Sequence, residues 1–290
     1  LDDNRPGYPM TCVAEMQLAG KINRDAFSAV FRDQVFRHPL LFAVVKRPRR
    51  GMPCWISAGE RPAAVEWGGL SDTVPVTATD PIDLESEPGM RLWVRRDSER
   101  AVVTMVFHHA CCDGIGAARF FEDLLCAYHA KLAGGRCHVC NVSRLMMRGA
   151  IPRLGRLRER LGNELRTFVR EGYQWFAHPV TPLGVPQERS IAAGRDLLGE
   201  MLTHTFDATA LGAILEAARK DGATLNDFLL ASLFCAIRKW NERHAPDPAT
   251  PWLRIAVPQN LRVAADRWMP AANKVTMCFL TRAVEACRES

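Results

Sequence analysis

The chain has no apolar stretch long enough to cross a bilayer. Its longest, Phe228 to Ile237, is about ten residues closed by Asp227 and Arg238, half of the ~20 a membrane-spanning helix needs. There is no internal repeat and no low-complexity segment, so repeat architectures drop out. The opening Leu1-Asp2-Asp3-Asn4 carries neither a signal peptide nor an initiator methionine, and the natural chain is expected to begin upstream of it. Neither sign of charge dominates, with 38 Lys and Arg against 32 Asp and Glu. The net +6 is too small an excess to argue for nucleic acid. Gly114 and Gly116 do not make a phosphate loop, Ser143 and Ser232 lack a nucleophile context, and no carboxylate pair has the spacing of glycoside chemistry. What remains is a chain of 290 residues, 48% hydrophobic, enough to bury a core in one large domain or two subdomains.

Ten cysteines are scattered along it. Cys111, Cys126 and Cys235 lie in apolar contexts, where a thiol packs as a small hydrophobe. Size and the lack of a signal point to a reduced, cytoplasmic setting. Cys137-His138-Val139-Cys140 is a lone CxxC, and with Cys126 and His129 upstream it raises the question of zinc. The spacing matches no strong zinc template, so no metal is assigned.

Hydrophobic period and punctuation divide the chain. Met10 to Leu18 reads as a strand. Asn23 is an N-cap for a helix with Phe27, Val30, Phe31 and Val35 on one face, ended by His38-Pro39. Leu40 to Val45, Met90 to Val94 and Ala101 to Phe107 read as strands. A helix from Ile115 to about Leu132 is stopped by Gly134-Gly135. Residues 144–176 are helical in pattern and arginine-rich, either a solvated helix or a candidate for peripheral contact with anionic lipid. Pro179 to Gly194 reads as a crossover linker. Met201 to Phe206 reads as a strand and Ala208 to Lys220 as a helix. Thr224-x-x-Asp227 resembles a capping box opening a helix buried nearly all round. Leu253 to Val257 and Val275 to Leu280 close the pattern as strands. These elements give an N-terminal subdomain over 1–185 and a second over 195–290.

The chemistry concentrates at His108-His109-Ala110-Cys111-Cys112-Asp113-Gly114. Two imidazoles stand at a strand end, with a carboxylate and a glycine at the turn into a helix. A neutral imidazole takes up a proton near neutral pH, which suits general-base work. A histidine at a strand end can equally be structural. The company of His108, Asp113 and Gly114 moves His109 toward catalysis. His108 faces the opposite way if the strand runs through it and reads as structural. Asp113 precedes a helix and can cap it. Gly114 can admit a close backbone or ligand approach.

HHxxxDG resembles the signature of the chloramphenicol-acetyltransferase-like superfamily. That group includes condensation domains, plant-type acyltransferases, wax ester synthase/diacylglycerol acyltransferases and alcohol acetyltransferases. Neighbouring pieces are similar in the same order: Leu18-Ala19-Gly20-Lys21-Ile22 and Arg37-His38-Pro39-Leu40-Leu41, then Pro81-Ile82-Asp83-Leu84 with Met90-Arg91-Leu92. Thr224 to Ala231 and Val257-Pro258-Gln259-Asn260-Leu261-Arg262, with Asn273 beyond, follow. The resemblance implies an α+β fold of two related subdomains, each a mixed β-sheet covered by helices, the second incomplete in this chain. It implies that Arg262 pairs with Asp113 to hold the loop bearing His109, at the mouth of a tunnel between subdomains. His109 would then be the general base that lets a hydroxyl or amine acceptor, small molecule or lipid, attack an acyl thioester. The donor would be acyl-CoA or a phosphopantetheine thioester on a carrier protein, used as a cosubstrate, with no bound cofactor.

Three departures stand out. Ala272 occupies a position where relatives often have glycine, two cysteines fill the variable positions of the signature, and the DFGWG segment of two-subdomain relatives is absent. The chain is therefore expected to be truncated, cleaved or a natural half, and inactive by itself. The alternative is a non-catalytic binding or scaffold relative that keeps the fold.

Overall fold

The computed structural model describes residues 10–59, 64–74, 81–148, 172–173, 175–185, 204–244 and 251–287. In it the apolar run that ends at the twin histidines lies inside a four-stranded sheet. Strand β1 (Thr11–Ala19) lies antiparallel to β6 (Arg100–His108), β6 antiparallel to β5 (Met90–Arg96), and β5 parallel to β4 (Val65–Gly69). Strand β6 is buried at nearly every position while edge strand β1 alternates. A strand covered on both faces needs a continuous apolar run, whereas a half-covered one needs a two-residue period. A separate pair, β2 (Ala43–Lys46) and β3 (Cys54–Ser57), stands beside it.

Helix α1 (Arg24–Arg37) starts where Asn23 Oδ1 accepts the Ala26 N–H at 3.0 Å, the cap its side chain predicts. Helix α2 (Gly114–Ala133) is capped by Asp113 and closed by Gly134 at φ 71°, a left-handed conformation that glycine adopts without a Cβ penalty. Phe27, Phe31 and Phe120 from the two helices are buried in the main core with Leu92, Val103 and Met105. Each aromatic so buried contributes roughly 1.5–3 kcal/mol. The strand expected over Leu40–Val45 begins only at Ala43. Pro39 lacks an N–H and starts a 3₁₀ turn, Pro39–Phe42, that drives Leu40, Leu41 and Phe42 inward.

Two compact units result, Leu1–Pro152 with Asn260–Val275, and Arg153–Gln259 with Thr276–Ser290. The contiguous 1–185 and 195–290 division changes accordingly. Residues 260–275 belong to the first unit because His38, His109 and Asp113 hydrogen-bond them.

The second unit contains α3 (Ala208–Lys220), α4 (Leu225–His244), and the paired strands β7 (Trp252–Asn260) and β8 (Val275–Ala283). The capping box forms: the Thr224 N–H donates to Asp227 Oδ2 at 2.9 Å, and the Asp227 N–H to Thr224 Oγ1 at 3.2 Å. Phe234, Leu253, Ile255 and Cys287 make its core. Helix α4 is not buried all round. Leu229 is 47% and Leu233 44% exposed, since apolar composition reports what a helix could bury and only one face meets the core. His204–Phe206 form no strand; Met201 to Thr203 of that expectation lie outside the described residues. So do residues 149–171 and 174 of the arginine-rich segment and 186–194 of the linker. Val142–Met147, which overlaps the start of the arginine-rich stretch, is a 3₁₀ turn. No helix among the described residues is long and apolar enough to cross a membrane.

Candidate active site

The site lies in the first unit, where β6 stops and α2 starts. His108 is the last residue of β6, paired across to Thr11 and 1% exposed. Its Nδ1 accepts the Ala110 N–H at 3.0 Å, so the ring proton sits on Nε2. Burial pushes its pKa down to about 4, and the ring stays neutral at pH 7. Its Nε2 is buried with no hydrogen-bond partner among the described residues.

His109 is half-buried. Its N–H donates to the Met10 carbonyl at 2.7 Å, which fixes the backbone where the strand breaks. Asn273, 164 residues on, reaches it twice. Asn273 Nδ2 donates to the His109 carbonyl at 3.0 Å and stands 3.3 Å from ring Nδ1. The sequence resemblance includes Asn273, but no short-range pattern announces this contact. Cys111 and Cys112 are fully buried. Burial raises both thiols, Cys111 to about 12, so they act as small apolar side chains under the turn.

Asp113 does two things at once. Its Oδ1 accepts the Gly116 N–H at 2.8 Å and caps α2. Arg262 also grips it with both terminal nitrogens, Nη1 to Oδ2 at 2.8 Å and Nη2 to Oδ1 at 3.0 Å. The Lys274 N–H adds a bond to Oδ2 at 2.9 Å. Burial works to raise the carboxyl, but the hydrogen bonds from Arg262, Lys274 and Gly116 outweigh it and hold Asp113 below the usual carboxylate range. Arg262 Nη2 also reaches the Ala272 carbonyl at 2.8 Å. The pairing expected of Asp113 and Arg262 is therefore present, and it ties the turn to residues 271–274.

Gly114 does not take the backbone approach assigned to it. A Cβ there would meet nothing within 4 Å. The tight glycine is Gly116, where a Cβ would lie 2.8 Å from the Ala272 carbonyl oxygen and 2.9 Å from Cys112 Cβ. The helix start packs on the 271–274 backbone at that point. Another feature missed from sequence is a buried ion pair, Lys274 Nζ to Asp266 Oδ2 at 2.7 Å. It anchors the far end of the same segment.

The zinc set does not assemble. Cys126 and His129 are exposed on α2, and Cys137 Sγ takes a hydrogen bond from Arg37 at 3.2 Å. Cys140 instead joins His38 and Asp123 in the interior.

With this geometry in place, the comparisons with known proteins are specific. The family model for the condensation domain matches residues 1–245. A plipastatin synthase polypeptide of Bacillus subtilis (strain 168) is 23% identical over 237 residues, 80% of this chain and 9% of that protein. Among solved structures, SgcC5 of Streptomyces globisporus superposes with a TM-score of 0.66 at 17% identity, covering 98% of this chain and 65% of that one. VibH, a nonribosomal peptide synthetase condensation enzyme, superposes with a TM-score of 0.59 at 19% identity, covering 95% and 63%. The chain thus spans a small part of its curated relative and less than two thirds of either solved chain.

Proposed function

The chain belongs to the condensation-domain family, and from that premise we propose that its site transfers an acyl or peptidyl group from a thioester to an amine or hydroxyl. The donor fits a phosphopantetheine thioester on a carrier protein better than free acyl-CoA, because the condensation-domain relatives include a nonribosomal peptide synthetase. A reducing, cytoplasmic setting suits ten cysteines that are all unpaired.

The observation that carries this reading is the contrast between the two histidines. His108 is buried and neutral, with Nδ1 taken by the Ala110 N–H. His109 is half-open and its backbone is held by Asn273 and Met10. A Cβ on Gly114 would meet nothing within 4 Å, so a substrate can approach there. The acceptor nitrogen or oxygen forms a bond to the thioester carbonyl carbon, the C–S bond breaks, and the acceptor proton passes through His109 to the departing thiolate. General-base catalysis of this kind contributes ~10²–10⁴-fold. It needs a free lone pair on Nε2, and therefore a proton on Nδ1.

Asn273 favours a second reading of the same residue. With Nδ2 donating toward Nδ1, the neutral ring keeps its proton on Nε2. His109 would then hold the acceptor or the developing oxyanion as a hydrogen-bond donor.

The function is tested on the protein at its native length. Acyl-pantetheine and acyl-CoA donors are offered with a panel of amines and alcohols, and thiol release is measured. Acceptor-dependent release that falls about 10²-fold or more in His109→Ala, with unchanged circular dichroism, is expected. Tight thioester binding with no turnover in any combination would mark the non-catalytic alternative.

A further inference from the structure

His38, Asp123 and Cys140 form a buried cluster the proposed chemistry does not use. Among the described residues they alone bring three ligand-type atoms within 4.8 Å of one another. Their protons argue against a metal. The Ala271 N–H donates to His38 Nδ1 at 3.0 Å, so Nδ1 is an acceptor and the ring proton sits on Nε2, 3.3 Å from Asp123 Oδ2. A cation on Nε2 would require a ring with no proton at all. Metal-bound histidines donate their other N–H to an acceptor, and here that position faces a donor.

The same protons make a strut. Cys140 Sγ donates to Asp123 Oδ2 at 2.5 Å, and Arg119 Nη2 holds Oδ1 at 3.0 Å. Burial would raise Asp123, but His38, Cys140 and Arg119 together keep it below the usual range. An ionised carboxylate facing Nε2 requires the Nε2–H tautomer, and that tautomer leaves Nδ1 free to receive Ala271. Ala271 is fully buried, so its N–H has no water to fall back on. The two following residues are Ala272, gripped by Arg262, and Asn273, which holds His109.

We propose that His38, kept in its accepting tautomer by Asp123, is a positioning residue for the His109 site, fixing through the Ala271 N–H the segment that delivers Asn273. The inference rests on His109 being the reacting group. A shift of about 1 Å in a positioning element can cost on the order of 10²-fold in rate, so the strut is a rate device as well as a packing contact.

The test uses the full chain labelled with ¹⁵N. In the unsubstituted protein the ring shifts of His38 should report Nε2–H; an Nδ1–H ring would overturn the proposal without any variant. Two substitutions then separate the two contacts. His38→Asn places an amide oxygen near Nδ1 and loses Asp123. His38→Gln keeps a donor near Asp123 and puts carbon where Nδ1 was. His38→Gln should speed hydrogen exchange at the Ala271 amide about 10-fold or more and lower kcat by a similar factor at unchanged KM for the thioester. His38→Asn should restore the protection and most of kcat. Unchanged Ala271 exchange in His38→Gln, or equal losses in both variants, would overturn it. If exchange behaves as expected but no form transfers an acyl group, the reaction assigned to the site fails while the strut stands.

Discussion

Arg262 and Asp113 meet as a two-pronged pair, Nη1 to Oδ2 at 2.8 Å and Nη2 to Oδ1 at 3.0 Å, across 149 residues of sequence. The pair is charge-assisted and flat on both sides, the geometry only a guanidinium provides. It joins the start of α2 to the 271–274 segment, so the turn carrying His109 is tied to the residue that holds His109.

Breaking that pair should be costly. Arg262→Ala leaves a buried carboxylate with only backbone donors, and a loss of about 3–5 kcal/mol is expected in urea denaturation. Arg262→Lys should recover part of it, since one ammonium cannot serve both oxygens. The pH dependence follows from the depressed Asp113 carboxyl. Its contribution is complete above the ordinary carboxylate range and is lost as pH falls through the lower folded-state value. An Arg262→Ala protein as stable as the parent at pH 7 would contradict this.

The two glycines of the turn should respond oppositely. Gly116→Ala drives a methyl into the Ala272 backbone, which cannot swing aside like a flexible side chain, and a loss of about 1–3 kcal/mol with reduced turnover is expected. Gly114→Ala meets nothing and starts a helix, so stability should hold or rise by up to about 1 kcal/mol. Thermal melts of the two variants decide it, and equal effects would show the packing at Gly116 to be looser than described.

His108 should leave a mark on acid stability. Its folded pKa is about 4, against 6.5 in the unfolded chain. As pH falls from about 6.5 to 4, the unfolded chain gains a proton the folded chain refuses, so stability falls by up to roughly 3 kcal/mol. His108→Phe removes that slope while adding a constant offset for the lost Ala110 bond. Parallel stability–pH curves for the two proteins would show that His108 titrates normally.

Asn273→Asp separates the two roles open to His109. A carboxylate accepts from Nδ1–H and presets the tautomer a general base needs, at the loss of the bond to the His109 carbonyl. If His109 works as a base, Asn273→Asp should keep turnover within about 10-fold, whereas Asn273→Ala should lose more, because the ring is then unheld. If His109 works as an Nε2–H donor, the aspartate variant should be the worse of the two. Steady-state kcat of the three proteins is the measurement.

Much of this molecule is written locally. Asn23, Asp113, Gly134 and the Thr224–Asp227 pair set helix ends through bonds spanning a few residues, which is why those boundaries were readable. The continuous apolar run of β6 announced a strand, and the structure covers it at nearly every position. The Asp113–Arg262 pair was expected because those residue types occur in an order that resembles a known signature, and the pair forms. Other features depended on distance closed by folding. Asn273 meets His109 across 164 residues and Ala271 meets His38 across 233, and no pattern at short range encodes either approach. The tight glycine proved to be Gly116, since a glycine's need for space is set by the backbone that crosses it. Helix α4 is apolar enough to be enclosed and is not. Composition states how much surface could leave water, and the arrangement of neighbouring elements states how much does.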